Sequence, residues 1–152
     1  MYRISTIGDC LDVYNLICDM ENKELPYNEF SIIFEQQQDN PNYFCILHEE
    51  DNKVIAMINL RFEEQLHHAA KVAEIMELVV DSKHRSKRVG KNILKYAEDF
   101  AKEKGAVQIE VACNQLRTNT HRFYIREGMN NYHYKFSKVL IGNQPKENKL
   151  GM

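Results

Sequence analysis

No apolar run in this sequence approaches the ~20 residues that a membrane-crossing helix needs. The longest, such as Val54-Ile55-Ala56-Met57-Ile58, has the length of a strand. The opening Met1-Tyr2-Arg3-Ile4-Ser5 lacks the apolar core and small-residue cleavage site of a secretion signal. Cysteine is scarce: Cys10, Cys18, Cys45 and Cys113 form no C-x-x-C pair, and three of them fall inside apolar-periodic segments. This excludes a disulfide scaffold and predicts buried thiols in a reducing cytoplasm. An excess of positive charge is missing too. Lys+Arg 20 against Asp+Glu 22 leaves a net charge of −2, which is not the balance of a dedicated nucleic-acid binder. Repeats and linkers are absent.

What is there is a chain of 152 residues, 43% hydrophobic and 28% charged. That length is one domain, able to bury roughly 70% of the surface its unfolded chain exposes. The domain is expected over residues 1–140, with a polar tail over 141–152 that contains Pro145. Tyr2 to Ile4 reads as a first strand. Gly8-Asp9 opens a helix, with Asp9 as its N-cap and Leu11, Tyr14, Ile17 and Cys18 on one face. A second helix covers 28–38. Strands at 43–49 and 53–62 flank the turn Glu50-Asp51-Asn52, and another strand runs from Val72 to Val80. Val89, Ile93, Leu94, Ala97, Phe100 and Ala101 keep helical spacing until Lys102, Lys104 and Gly105 close the helix. Val107, Ile109, Val111 and Cys113 alternate as a half-buried strand. A short helix at 120–127 stops at Gly128, and Tyr132 to Leu140 reads as a last strand. The order β-α-α-β-β-β-α-β-α-β predicts an α/β (α+β) fold: a mixed, mostly antiparallel sheet of about six strands with helices on both faces.

The segment from Leu78 to Asn92 is the most informative. A strand ends, a cationic loop follows, and an amphipathic helix starts near Val89. Unpaired N–H groups at a helix start favour anions. Arg85, Lys87, Arg88 and Lys91 add charge, and Gly90 lets backbone approach a ligand closely. A solvated cationic turn would read the same way.

Arg85-Ser86-Lys87-Arg88-Val89-Gly90 resembles the acetyl-coenzyme A loop of the GNAT N-acetyltransferases, R/Q-x-x-G-x-G/A, with Arg88 in place of the first glycine. Glu74-Ile75-Met76-Glu77-Leu78-Val79-Val80 resembles the family's fourth strand. Thr120-His121-Arg122-Phe123-Tyr124-Ile125-Arg126-Glu127-Gly128 resembles its late helix. Leu66-His67-His68, Val89-Gly90, His121-Arg122-Phe123-Tyr124 and Phe136-Ser137-Lys138 are similar, more narrowly, to the aminoalkylphosphonate N-acetyltransferases of bacterial phosphonate operons. The likeness runs from about Val13 to Leu140.

The resemblance implies acetyl transfer from acetyl-coenzyme A to a primary amine of a small molecule, by direct attack and without a metal. An alkyl ammonium with a pKa near 10.4 must lose a proton first. Glu74 matches the family's base, and Glu77 is the other carboxylate on that strand. Regular alternation would point the two to opposite faces, and a bulge, which the resemblance implies, would bring both to the cleft. Tyr124 matches the general acid for the leaving thiolate. Backbone near Leu78, Val79 and Val80 would serve the thioester oxygen and the pantetheine arm. Arg85, Ser86, Lys87, Arg88, Val89, Gly90, Lys91 and Asn92 would hold the pyrophosphate. Arg117 and Arg122, with Arg61, His67 and His68, are candidates for the acceptor's phosphonate. His67 and His68 are adjacent in extended chain, which points them apart and argues against a shared metal. Another amine (an aminoglycoside, a polyamine or a protein amine) and a non-catalytic acyl-coenzyme A binding module remain alternatives. Family members often pair, so a homodimer stays open.

Overall fold

The computed structural model describes residues 1–85 and 87–141; Ser86 and nearly all of the expected tail lie outside the described residues. The chain forms two compact units, Met1–Ala112 and the part from Cys113 on. Among the described residues no helix is long and apolar enough to cross a membrane.

The first unit contains β1 (Tyr2–Ile4), α1 (Cys10–Glu21), α2 (Tyr27–Gln38), β2 (Tyr43–Glu50), β3 (Lys53–Gln65), β4 (Ala70–Val80), α3 (Val89–Glu103) and β5 (Gln108–Val111). The strands lie in the order β1-β2-β3-β4-β5. The first three pairings are antiparallel. β4 and β5 run parallel because α3 crosses between them. β2 and β3 meet at a tight turn in which Asp51 (φ 50°) and Asn52 (φ 62°) both take the left-handed conformation, one that these residue types tolerate.

One face of the sheet carries Cys45, Leu47, Met57 and Val79, packed against Val13, Leu16 and Ile17 of α1 and Phe34 of α2. The other face is covered by α3. Ile93, Leu94 and Ala97 are fully buried there, as are Ile46, Ile58 and Leu60 of the sheet. Phe100 of α3 meets Phe44 and Phe62 edge-on, at 5.1 and 6.4 Å between ring centroids. Helices on both faces of a mixed sheet are the expected arrangement, but the described sheet has five strands rather than about six.

Three local expectations change. Tyr14 and Ile17 of α1 are buried as expected, but Leu11 is exposed and Cys18 half-buried, and Val13 and Leu16 complete the buried face. Asp9 precedes α1 but does not cap it through its side chain. Its carboxylate accepts the Thr6 N–H (2.7 Å) and both ends of the Arg3 guanidinium (2.8 Å each). Tyr132 to Leu140 forms no strand: Tyr132, Tyr134, Phe136 and Leu140 are exposed and no ladder is formed. Period-two alternation specifies an extended chain with two faces, but a strand also needs an edge to pair with.

The second unit holds α4 (Thr118–Arg126). Asn114 organises its approach: the Asn114 side chain accepts the Leu116 N–H (2.8 Å), and its carbonyl accepts the Arg117 N–H (3.1 Å). Gly128, at φ 90°, ends the helix in a conformation that glycine adopts readily.

Two tests follow from these local constraints. The Arg3 guanidinium and the Thr6 N–H hold the Asp9 carboxyl down at about 2. A depressed carboxylate stabilises the fold above its unfolded pKa and loses that stabilisation as pH falls through the folded value. Asp9→Asn is therefore expected to cost about 2 kcal/mol at pH 7 and much less at pH 2, measured by urea unfolding across that range. Arg88, before α3, sits at φ 63°. Relief of left-handed strain (about 1–2 kcal/mol) outweighs the backbone freedom that glycine gains when unfolded (about 0.5–1 kcal/mol). Arg88→Gly is thus expected to stabilise the chain by about 0.5–1 kcal/mol, read by the same unfolding curves at neutral pH.

Candidate active site

β4 carries one residue more than β3 can match. Asn59 stands opposite Glu77 and Leu60 opposite Ile75, which leaves Met76 unpaired as a bulge. Glu74 lies opposite Arg61. Asn59 and Arg61 are two apart on β3 and so share a face. The bulge therefore puts Glu74 and Glu77 on that same face, whereas unbroken alternation would separate them.

The two carboxylates have different surroundings. Glu74 accepts a 2.6 Å hydrogen bond from Arg61 Nη2, and the same guanidinium nitrogen lies 3.5 Å from Glu63. Glu77 accepts from the Asn59 amide at 2.9 Å, and that amide also donates to Gln37 of α2 at 3.1 Å. Burial pushes the Glu77 carboxyl above its ordinary value; the Asn59 hydrogen bond opposes this, and the charge of Glu21 at the end of α1 adds to it. Cys45, opposite Asn59, is buried, and burial raises its thiol to about 12.

Beyond the bulge the outer edge of β4 is open. The parallel ladder with β5 ends at Ile75–Val111, while β4 continues to Val80. Main-chain groups from Met76 to Val80 on that side have no strand partner among the described residues. The strand then leads into a 3₁₀ turn at Ser82–His84 and the cationic loop. Arg85, Lys87, Arg88, Lys91 and Asn92 are exposed around the start of α3, Val89 is buried and Gly90 is half-buried. Arg85 makes a loose 3.8 Å contact with Asp19, both partners being well exposed. Arg88 at the N-cap makes no side-chain cap, and the Asn92 N–H donates to the Arg88 carbonyl. Among the described residues the N–H groups of Val89, Gly90 and Lys91 have no partner, at a helix start ringed by cations. An open strand edge that leads into such a loop fits a donor with an amide-bearing arm and a pyrophosphate.

In the second unit Tyr124 is buried on α4. Burial and the neighbouring Cys113 raise its phenol to about 12 against the opposing charge of Arg117, so its proton stays in place across the physiological range. Arg117 and Arg122 are exposed, and Arg122 donates to Asn119 at 3.1 Å.

The structure thus brings Glu74, Glu77, Leu78, Val79, Val80 and the start of α3 along one strand and its continuation. His67 and His68 lie away from this stretch, exposed in the β3–β4 turn at the far end of an 11-residue strand from the cationic loop, ~35 Å at strand rise; the turn replaces the expected extended chain, so their rings do not point apart but sit 4.3 Å from each other. Asn59 and Gln37 are not singled out by sequence reasoning. The available signal was one amide inside the apolar run from Val54 to Leu60, where an unpaired polar group would be destabilising.

The acetyltransferase (GNAT) family model matches residues 10–129. The chain is 38% identical over 138 residues to an aminoalkylphosphonate N-acetyltransferase of Salmonella typhimurium, covering 91% of this chain and 90% of that one. It is 28% identical over 114 residues to a glucosamine 6-phosphate N-acetyltransferase of Arabidopsis thaliana, covering 72% and 74%. Its fold is similar to that of a Bacillus halodurans protein described as a transcriptional regulator, at a TM-score of 0.84 and 20% identity, over 91% of this chain and 98% of that one. The chain is an acyltransferase and belongs to the acetyltransferase (GNAT) family.

Proposed function

We propose that this chain moves acetyl from acetyl-coenzyme A to the primary amine of a small molecule, an aminoalkylphosphonate, by direct attack. The acceptor class is supported by the identity shared with the Salmonella relative over nine-tenths of both chains. The catalytic reading is carried by the bulge at Met76, which sets two carboxylates on one face beside an open strand edge.

The donor's arm lies along the free edge of β4 at Leu78, Val79 and Val80, and its pyrophosphate lies on Arg85 to Asn92. A carboxylate takes one proton from the ammonium, and the nitrogen lone pair then forms a bond to the thioester carbon. As the C–S bond breaks, the Tyr124 phenol supplies a proton to the sulfur. The second proton leaves the nitrogen as the amide forms and restores the phenol through water. The first leaves the carboxylate for solvent, so the products are amide, free thiol and one proton.

Glu77 suits the base role: burial favours its protonated form, and its recorded side-chain partner is a neutral amide. Glu74, ion-paired with Arg61, is the second carboxylate beside the ammonium. Arg61 supplies a cation one residue pair from Glu77, and Arg117 and Arg122 are further cations for a phosphonate. A homodimer is compatible with this chemistry and is not needed for it.

Thiol release from acetyl-coenzyme A with a panel of amines tests the proposal. The panel holds aminoalkylphosphonates, their carboxylate analogues, an aminoglycoside and a polyamine. Release selective for the phosphonates is expected. Release with another amine would retain the chemistry and remove the phosphonate. Coenzyme A binding without release on any amine would favour a binding module. Tyr124→Phe is expected to lower kcat by about 10²–10⁴-fold, the range for a general acid, while the KM for acetyl-coenzyme A stays close to wild type. Unchanged kcat would remove Tyr124 from that role.

A further inference from the structure

We propose that the Asn59 carboxamide oxygen is the docking point for the acceptor's amine, which it holds against the Glu77 carboxylate. This rests on the preceding reading of the chain as an amine acetyltransferase and names a residue that reading does not need.

Asn59 is 6% exposed, and its NH₂ group is fully used: it donates to Glu77 Oε1 at 2.9 Å and to Gln37 Oε1 at 3.1 Å. An ionised carboxylate only accepts, so the amide must turn its NH₂ toward Glu77. The opposite orientation would set oxygen against oxygen. Asn59 Oδ1 takes no part in either bond, and it is buried with no donor of its own among the described residues. Buried amide oxygens are normally paired, and one left over marks a place where something else donates.

The surroundings define that donor. Glu77 is on one side, where the charge of Glu21 of α1 acts on it. Gln37 from α2 presents its oxygen to Asn59. Cys45, opposite on β2, is a buried thiol that keeps its proton. Arg61, two residues on along β3, gives its Nη2 to Glu74 and Glu63, and its Nε is buried without a partner among the described residues. The site is thus rich in acceptors, and its charge is negative. A primary ammonium matches it, giving one N–H to Asn59 Oδ1 and another to Glu77. When Glu77 takes its proton, the amine nitrogen stays tethered through the hydrogen bond to Asn59, so its freed lone pair keeps one direction.

Asn59 variants separate docking from packing. Asn59→Leu removes the oxygen and the NH₂ group together. It is expected to raise the KM for the amine about tenfold, the scale for a charge-assisted hydrogen bond, with the KM for acetyl-coenzyme A unchanged. Because the Asn59 hydrogen bond holds the Glu77 carboxyl down, the acid limb of kcat/KM should also move to higher pH. Asn59→Asp keeps an accepting oxygen and loses the donor. It should leave the amine KM within about threefold and move the acid limb further. If the leucine variant fails to fold, Asn59→Ala is read in its place. A folded Leu or Ala variant with unchanged amine KM would overturn the site even where the wild type acetylates an amine. A wild type that acetylates none of the panel would overturn the enzymatic reading, and this site with it.

Discussion

One extra residue in β4 governs the rest of the site. A strand alternates its side chains strictly, so Glu74 and Glu77, three apart, belong on opposite faces. The unpaired Met76 breaks that rule once. The register on the N-terminal side still pairs Glu74 with Arg61, and on the C-terminal side it pairs Glu77 with Asn59. The bulge falls just past the point where β5 ends its ladder with β4. The same stretch of strand therefore presents carboxylates on its face and free main-chain groups on its edge. Beyond it the chain runs directly into the cationic loop. Acid and cation are thereby sorted along one strand: negative charge where an ammonium must be held, positive charge where a phosphate-bearing donor must end.

The loop departs from the family's pattern at one residue. Arg88 stands where the family's pattern has its first glycine, and it adopts φ 63°. That is the left-handed conformation glycine takes freely and arginine takes at a penalty. The left-handed turn leads directly into α3, and the Arg88 side chain adds a cation at the helix start. A strained residue at a helix start is held by the buried anchors that follow: Val89, Ile93 and Leu94 fix the helix against the sheet.

Most of this architecture was readable before any coordinates. α1 and α3 carry the helical period of burial on one side, while β2 and β3 read as short apolar runs because helices cover both faces of the sheet. The anion loop announces itself through charge and a glycine. The bulge was implied only by resemblance, because nothing in Glu-Ile-Met-Glu-Leu-Val-Val says which residue will go unpaired. The Asp9 carboxylate reads as a helix cap, since Asp before an apolar period usually is one. Its true partners, Arg3 and Thr6, become visible only once β1 packs beside it. Tyr132 to Leu140 carries the alternation of a strand with no information about a partner. Asn59 is the instructive omission: a single amide in an apolar strand looks like an ordinary substitution until its neighbours are known to be Glu77 and Gln37.

Two carboxyls of the first unit, Asp9 and Glu77, pull on stability in opposite directions. Asp9 is stabilised in its charged form, so protonation releases a favourable contact as pH falls toward 2. Glu77 is raised by burial, so its charged form is the unfavourable one in the native state. Its penalty is full above its folded pKa and disappears below the unfolded value, so acid relieves it. A group that opposes folding at neutral pH persists where its proton affinity is useful. Pairing Glu77 with a cation would remove the penalty and would also remove its readiness to take a proton. The neutral Asn59 amide is the intermediate solution: it orients the carboxylate and moderates its basicity without neutralising its charge.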